Sequence, residues 1–524
     1  MGELMQKFRA AALAVALGTA LGMALGAAVV APAGATPKPS LSFDACPGDL
    51  ATPYPAMTCA SVQVPLDYAA PGKGQATLLI SKVPARDPAK RRGALFVNPG
   101  GPGAGAASYV GKLTKPDGKG VTRLPPSVLD SYDIIGMDPR GVGHSSPFGC
   151  VDPGYFGGPQ PDPDAAAGRE RLWQTWAKFA AGCQAKAGAV LPHLGTVNVA
   201  KDMDLIRDRM GERKLSYLGF SYGTYLGAVY GELFGPKADR MILDGNVNPV
   251  PEDLWYQAAL AQPPAVQKRV TDWLAWVAKY DPVFHLGTSA AETTKAWNAA
   301  LEEFRAHPHG AVGANELLGL TFNVMFAEVG WEALGRALSD YTVKHDDSAL
   351  VGMASPDTGA GAVQTTSAFQ SVICADAAWP ADRAVYERDT AAVAKGSQFA
   401  WYNTFASGAA CANWPAPHGT RVPITGKALP KILMFNSVGD PSTPYAGAVK
   451  MHNALPGSVL VTERDSGKHC VFANPIGYAN ERAQQLGAAY LTTGQLPPSD
   501  TTIGGHPVPG PSGATAASLD RSPA

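Results

Sequence analysis

The sequence Lys-Leu-Ser-Tyr-Leu-Gly-Phe-Ser-Tyr-Gly-Thr-Tyr at residues 214–225 decides the fold of this chain. Its first half is typical of a short buried strand, and the Ala, Gly, Leu and Tyr residues that continue to position 234 predict a helix. Ser221 lies at the junction, between Gly219 and Gly223. A Gly-x-Ser-x-Gly sequence between a strand and a helix is the setting of a nucleophile elbow, a strained turn that exposes the serine hydroxyl. The chain has 58 glycines, so an ordinary Gly/Ser turn is the alternative that the rest of the sequence has to exclude.

Other short apolar or alternating segments predict strands on both sides of this turn. They are residues 76–83, 93–97, 132–137, 240–245, 431–436 and 458–462. Helical stretches such as 199–210 and 479–492 lie between or after them. Strands that alternate with helices predict an α/β fold with a mostly parallel sheet, which is the sheet of an α/β-hydrolase if the elbow is real.

The strand pattern is interrupted after residue 250 by helical segments rich in Trp, Ala and Leu. We interpret residues 251–420 as a helical cap inserted after the sixth-strand region. The sheet domain then comprises residues 36–250 and 421–496. The tail at 497–524 is rich in Pro, Gly, Ser and Thr, which predicts disorder.

The first 35 residues have the composition of a secretory signal peptide. Lys7 and Arg9 precede a long apolar run, and small residues at 33–35 predict cleavage after Ala35. An uncleaved membrane anchor is the alternative, because the run is long enough to span a bilayer. We expect a secreted protein, extracellular or associated with the cell wall, with no membrane contact once the signal is removed.

Composition and missing motifs exclude several classes of partner and cofactor. A net charge of −1 gives no reason to expect nucleic acid as a partner. The sequence contains no His-Glu-x-x-His, no Cys-x-x-Cys and no P-loop, so no metal and no cofactor is expected. The glycines near position 100 do not fit a dinucleotide site, because prolines interrupt the start of the helix that would bind the pyrophosphate.

The chain has seven cysteines, as expected for a protein exported to an oxidising compartment. Pairing by proximity predicts three disulfides, and six cysteines allow fifteen pairings. The predicted pairs are Cys46 with Cys59, Cys150 with Cys183, and Cys374 with Cys411. Cys470 is left over beside His469; a catalytic thiol is the alternative there, but no base or oxyanion motif surrounds it.

A serine nucleophile needs a base and an orienting carboxylate. In α/β-hydrolases these follow the serine in the order acid, then histidine, on loops after late strands. Asp440 and His469 follow the last two predicted strands, so the sequence predicts a triad with Ser221 at the carboxyl edge of the sheet. Asp244 also ends a strand and is the competing acid, although the Gly and Asn after it suggest a structural turn.

Acyl transfer also requires donors for the oxyanion. The backbone N–H of Tyr222, directly after the nucleophile, is one candidate. The Gly/Pro-rich loop at residues 98–103 follows an early strand and supplies the second. We assign that donor to Gly101, with Gly100 as the neighbour that could take its place.

Four motifs together resemble the secreted tripeptidyl aminopeptidases of actinobacteria, which are proline-iminopeptidase-like serine peptidases of the α/β-hydrolase fold. They are Asn-Pro-Gly-Gly-Pro-Gly at 98–103, Asp-Pro-Arg-Gly-Val-Gly-His-Ser at 138–145, Gly-Phe-Ser-Tyr-Gly-Thr at 219–224 and Gly-Asp-Pro-Ser-Thr-Pro at 439–444. The resemblance extends from about residue 59 to about residue 496. It implies an exopeptidase that removes short peptides, often tripeptides, from free N-termini, with Ser221, Asp440 and His469 as its triad.

An exopeptidase has to bind the ammonium group of its substrate, which acidic side chains in the cap can do. Glu328 and Asp376 are the candidates, since each lies among apolar residues of the insertion; a structurally paired carboxylate is the alternative for both. Two other functions stay open for the whole chain. One is a carboxylesterase with the same triad, and the other is a catalytically silent surface binding protein that keeps the fold.

Overall fold

The computed structural model describes residues 41–419, 421–474 and 477–513. The predicted signal peptide lies outside these residues, as do residues 514–524 of the predicted tail.

Among the described residues, ten strands form one sheet with the order β1-β2-β3-β5-β4-β6-β7-β8-β9-β10. They are β1 Asp44–Ala45, β2 Thr58–Pro65, β3 Gln75–Val83, β4 Gly93–Asn98, β5 Tyr132–Met137, β6 Leu215–Phe220, β7 Ala238–Asp244, β8 Ile432–Ser437, β9 Val459–Arg464 and β10 Thr501–Gly504. In this order the strands from β5 to β10 are parallel to one another, whereas the pairs β1–β2, β2–β3 and β3–β5 at one side are antiparallel. Every residue of β4, β6 and β8 is buried, which explains why these strands are continuously apolar rather than alternating. The predicted α/β fold with a mostly parallel sheet is confirmed.

The helices of the described chain cover both faces of the sheet and fill the insertion. They are α1 Gly48–Ala51, α2 Ala106–Thr114, α3 Pro126–Ser131, α4 Ala166–Ala187, α5 Thr196–Arg209, α6 Tyr222–Phe234, α7 Tyr256–Lys279, α8 Asp281–Phe284, α9 Ala290–Ala306, α10 Ala314–Val324, α11 Trp331–Lys344, α12 Ser348–Ala354, α13 Ala360–Asp376, α14 Arg383–Ala394, α15 Ala406–Ala412, α16 Tyr445–Ala454 and α17 Glu481–Thr493. A π-helical turn, Trp401–Phe405, leads into α15. Helices α5, α6 and α16 share one apolar cluster with the sheet, and α2, α3 and α17 share the other. The sheet is therefore the middle of three layers.

Helices α7 to α15 lie between β7 and β8, in the segment interpreted as the cap. Their own apolar cluster is built on buried aromatic rings, with Trp273, Trp297 and Phe304 among them. The helical layer is not confined to that segment, because α4 packs against α15 through a cluster that includes Phe179 and Ala410. A long connection between β5 and α5 thus contributes to the cap, which the sequence pattern did not indicate.

The predicted disordered tail is wrong for its first part. Residues Thr501–Gly504 form β10, which extends the sheet beyond β9 with Thr501 opposite Val461. Asp500 accepts a hydrogen bond from the N–H of Leu460 (2.9 Å), and Asn480 donates to the carbonyl of Gly504 (2.8 Å). Composition did not predict this strand because its stability comes from an existing sheet edge rather than from its own residues.

Three disulfides join Cys46 to Cys59, Cys150 to Cys183, and Cys374 to Cys411. These are the three pairs that sequence proximity predicted. Cys470 is free and buried. In the part of the chain that the structure describes, no helix combines the length and the apolar character needed to cross a membrane.

Candidate active site

Ser221 lies at the sharp turn between β6 and α6. Its φ of 53° and ψ of −125° belong to a sparsely populated backbone region for a residue with a Cβ. The turn is held at both ends, because the N–H of Ser221 donates to the carbonyl of Asp244 (2.9 Å) and its carbonyl accepts from the N–H of Thr224 (2.8 Å). A Cβ on Gly219 would lie 2.4 Å from the carbonyl oxygen of Gly223, so only glycine fits there. This is the geometry that the nucleophile elbow requires.

His469 and Asp440 form a buried pair at the same edge of the sheet. Nδ1 of His469 lies 2.9 Å from Oδ2 and 3.0 Å from Oδ1 of Asp440. The carboxylate also accepts hydrogen bonds from the N–H of Ser442 (2.9 Å), and from the N–H (2.8 Å) and hydroxyl (2.9 Å) of Thr443. The main chain of the histidine is fixed as well, by its N–H to the carbonyl of Phe326 (2.7 Å). Both members of the pair are therefore held in place before substrate arrives.

The end of β7 brings the serine and the histidine together. Asp244 binds the N–H of Ser221 through its carbonyl, and Gly245 follows it directly. A Cβ on Gly245 would lie 2.9 Å from Cε1 of His469, so the imidazole packs against this turn. Within the described residues Ser221 makes no side-chain hydrogen bond with His469. Such contacts are often loose without substrate and tighten when it binds.

The pKa of His469 lies above its ordinary value. Burial disfavours the imidazolium, but the charge of Asp440 and its hydrogen bond, with a smaller contribution from Asp244, outweigh that effect. The imidazole is therefore suited to accept a proton, and Asp440 stabilises the cation that results.

Among the described residues, the carboxylate of the competing acid, Asp244, makes no hydrogen bond to the imidazole, which pairs with Asp440. Its oxygens instead accept hydrogen bonds from the N–H groups of Val471 (2.8 and 2.9 Å) and Phe472 (2.6 Å). Burial is the main reason that its pKa is raised to about 7. Asp440 therefore occupies the position of the orienting acid. Asp244 instead fixes the backbone of the loop after His469.

Cys470 lies beneath the nucleophile turn. Its Sγ is 3.4 Å from the carbonyl oxygen of Asp244. Burial, and then the nearby carboxylates of Asp244 and Asp440, hold the pKa of this thiol well above its ordinary value. A thiol kept protonated is a poor nucleophile, so the geometry gives it a packing role.

Two backbone N–H groups close to Ser221 in the cavity lining are the candidates for the oxyanion donors. Tyr222 is the first residue of α6, where a backbone N–H has no partner within the helix. Gly100 cannot serve as the second donor, because its N–H donates to Oδ1 of Asn98 (2.9 Å). Gly101 lines the cavity beside Ser221. In the described chain, neither Gly101 nor Tyr222 uses its N–H in another hydrogen bond, so both are free to bind an oxyanion.

Ser221 opens into a cavity of about 330 Å³ between the sheet edge and the cap. Aromatic side chains, including Trp255, Trp379 and Phe369, form much of its wall. Side-chain amides form another part, and Asn403 and Gln262 are hydrogen-bonded to each other there (3.0 Å). Such a lining suits a ligand that has apolar side chains on a polar backbone.

The structure does not bring Glu328 or Asp376 into this cavity. Glu328 forms a buried ion pair with Arg269 (2.5 Å), so its charge is already neutralised. Asp376 accepts hydrogen bonds from the N–H (2.7 Å) and hydroxyl (2.6 Å) of Thr196. Their prediction as ammonium ligands rested on apolar neighbours in the sequence, and those neighbours reflect burial rather than access to substrate.

Sequence reasoning missed the carboxylate that does line the cavity. Asp253 accepts hydrogen bonds from Lys450 (2.6 Å) and Asn248 (3.0 Å), and these two interactions, that of Lys450 above all, lower its pKa. No motif marks it, because Lys450 is almost two hundred residues away in the sequence.

Comparisons with known proteins agree with this geometry. Residues 93–281 match a family model described as "alpha/beta hydrolase fold", and residues 397–503 match one described as "TAP-like protein". The chain is 37% identical to the tripeptidyl aminopeptidase of Streptomyces lividans, over 91% of this chain and 89% of that protein. It is 31% identical to carboxylesterase B of Mycobacterium tuberculosis, over 89% of this chain and 91% of that protein. Serine protease Hip1 of Mycobacterium tuberculosis is 28% identical, over 84% of this chain and 86% of that protein.

Proposed function

The chain belongs to the tripeptidyl aminopeptidase family of the α/β-hydrolase fold, and we propose that it is a secreted serine exopeptidase that releases short peptides, tripeptides above all, from free N-termini. The observation that carries this proposal is the convergence at one sheet edge of the strained Ser221, the His469–Asp440 pair and two unpaired backbone N–H groups.

The reaction follows the acyl-enzyme route. Ser221 Oγ attacks the scissile carbonyl carbon while Nε2 of His469 takes the hydroxyl proton, and Asp440 holds the imidazole at Nδ1. The N–H groups of Gly101 and Tyr222 bind the oxyanion of the tetrahedral intermediate. His469 then gives its proton to the leaving amine, the C–N bond breaks, and the released N-terminal peptide remains as an ester on Ser221. Water, deprotonated by the same imidazole, hydrolyses that ester and restores the serine.

Recognition of a chain end needs a negative charge at the correct distance from the serine. Asp253 is the acidic residue among those that line the catalytic cavity, and the low pKa that Lys450 gives it keeps it ionised at neutral pH. A substrate ammonium bound at this carboxylate competes with Lys450 for it. Asp253 therefore marks the point in the cavity where the N-terminus of the substrate would lie. An Asp253→Asn variant is expected to raise KM for free N-termini more than it lowers kcat.

Turnover of a tripeptidyl p-nitroanilide with a free amine, compared with its N-acetylated form, tests the proposal. The free form is expected to react at least a hundredfold faster, and Ser221→Ala to abolish both reactions. Equal rates for the two forms would remove the exopeptidase assignment. A failure of Ser221 to react with a fluorophosphonate would favour a catalytically silent protein instead.

A carboxylesterase is the second candidate, favoured by the similarity to carboxylesterase B. The amides of Asn403, Gln262 and Asn248 on the cavity wall support the peptidase, because they can pair with a substrate's peptide backbone, which an aliphatic ester lacks. Comparing kcat/KM for the anilide and for p-nitrophenyl esters decides between the two. Ester turnover without any amide cleavage would establish the esterase.

Secretion is supported by the three disulfides and by the signal-like composition of the first 35 residues. N-terminal sequencing of the extracellular protein is expected to begin at Thr36. If the protein in the membrane fraction instead begins at Met1, the first segment is an uncleaved membrane anchor.

A further inference from the structure

A second cavity of about 540 Å³ lies in the cap, and no step of the mechanism above uses it. It is enclosed by α4, α10, α13 and the loop at 355–358. It opens to solvent beside exposed residues such as Asn323 and Asp357. Asn403 lines this cavity and the catalytic cavity alike, so the two cavities are neighbours at this side chain.

One face of α13 runs along both cavities. Ile373 and Phe369 line the catalytic cavity, and Thr366 and Ala362 line the second one. Their spacing places all four on the same side of the helix. A Cβ on Gly103, in the oxyanion loop, would lie 3.0 Å from the N–H nitrogen of Phe369, so this face passes directly beside the catalytic centre.

The position of the histidine indicates which part of a substrate would lie in the second cavity. The imidazole has to reach the leaving amine, so the chain after the scissile bond departs on the side of His469. The ring of Phe326 lies 5.6 Å from that imidazole, Phe322 lies 5.7 Å from Phe326, and Tyr402 lies 5.8 Å from Phe322. Tyr402 lines the second cavity, so a continuous row of ring contacts connects the histidine with the wall of that cavity.

We propose that the second cavity binds the polypeptide segment on the C-terminal side of the scissile bond, as an extended chain of about three residues lying along α13. This inference rests on the proposed function. At a rise of about 1.5 Å per residue, the helix face from Phe369 to Ala362 is about 10 Å long. An extended peptide covers that distance with roughly three residues.

The charge of the cavity lining determines which residues after the scissile bond the second cavity favours. The described lining of this cavity contains Glu316 and Asp357 but no Lys, Arg or His. Glu316 is buried and accepts hydrogen bonds from the N–H groups of Gln160 and Gly313 (2.9 Å each), which leaves its negative charge without a cationic partner in the lining. The cavity therefore favours neutral or basic residues after the scissile bond and disfavours acidic ones.

Two series of substrates test the proposal with the full-length mature enzyme. The first joins one cleavable tripeptide to p-nitroaniline or to one, two, three or four further residues. We expect kcat/KM to rise at least tenfold up to the third added residue and then to level off. The second series carries Lys or Asp at that third position, and we expect about a tenfold preference for Lys.

A matched pair of variants locates the effect on α13. Thr366→Trp fills the second cavity, and Ala360→Trp introduces the same side chain at an exposed position of the helix that lines neither cavity. We expect Thr366→Trp to reduce the ratio of kcat/KM for the long peptide over the anilide at least tenfold, and Ala360→Trp to leave that ratio as it is.

The outcomes separate this inference from the proposed function. Cleavage of the anilide with no dependence on length or charge would overturn the inference and leave the exopeptidase standing. A length dependence that Thr366→Trp does not alter would place the leaving segment elsewhere and would also overturn it. Absence of anilide cleavage in the wild type would refute the proposed function itself. If Thr366→Trp does not fold, the length and charge dependence of the two substrate series on the wild-type enzyme decide whether the inference holds.

Discussion

Replacing Asp440 by Asn is the most direct test of the catalytic geometry. The carboxylate lies within hydrogen-bond distance of His469 Nδ1 and is buried with it, so the imidazolium depends on this charge. At an effective dielectric constant of about 20, two unit charges roughly 4 Å apart attract by about 4 kcal/mol. That energy corresponds to about a thousandfold in rate.

The amide also changes the tautomer of the imidazole. Its oxygen can keep the hydrogen bonds from the N–H groups of Ser442 and Thr443, which turns its NH₂ group toward Nδ1 of His469. Nδ1 then accepts, the proton moves to Nε2, and His469 can no longer take a proton from Ser221. In a related triad the same change lowers kcat by about 10⁴, so we expect a loss between about 10³ and 10⁴ for Asp440→Asn.

The assay is kcat/KM for the tripeptidyl anilide as a function of pH, together with the rate of fluorophosphonate labelling. Because Asp440 raises the pKa of His469, the wild-type acid limb is expected above about pH 6.5, the ordinary value for histidine. In Asp440→Asn it is expected to move to lower pH while the plateau falls. Asp244→Asn is the control, with an expected loss of about tenfold. More than a tenth of wild-type activity in Asp440→Asn, or a larger loss in Asp244→Asn, would refute the assignment.

Three further predictions follow from the backbone, the disulfides and the free thiol. Gly101 has a φ of +103°, and a Cβ there would lie 3.0 Å from the nitrogen of Gly103, so Gly101→Ala is expected to lower kcat by about 10²–10³ by displacing the oxyanion donor. A loss below threefold would remove Gly101 from the oxyanion hole. Replacing both Cys374 and Cys411 by Ser opens a bridge with a sequence separation of 37, which is expected to cost about 4 kcal/mol of unfolding free energy in thermal denaturation. A cost below about 1 kcal/mol would contradict the chain-entropy argument. Cys470, buried and with a raised pKa, is expected to resist iodoacetamide at pH 8 until the protein is denatured, and rapid labelling of the native enzyme would contradict the packing role.

Residues that act through local sequence were predictable. The turn at Ser221 needs small neighbours on both sides, so its signature is contained in five consecutive residues. The acid and the base were predicted from their order after strands, because parallel strands end at one edge of the sheet, and the structure places His469 Nδ1 2.9 Å from Asp440 Oδ2. The three disulfide pairs also followed from proximity in the chain.

Residues that act through long-range packing were not predictable. Glu328 looked like a ligand for a substrate ammonium until the fold placed Arg269 against it. Asp253 carried no signal at all, because its cavity position depends on where α7 and α16 meet the sheet. The strand Thr501–Gly504 was mistaken for a disordered tail, since its order depends on the exposed edge of β9.

The sequence by itself determined the chemistry of this protein, because a strained serine turn, a carboxylate and an imidazole each need only a few neighbouring residues and a place after a strand. Only the tertiary structure decided what surrounds that chemistry. The walls of both cavities are assembled from helices far apart in the chain, and which carboxylates are neutralised and which face a substrate depends on side chains that meet only after folding.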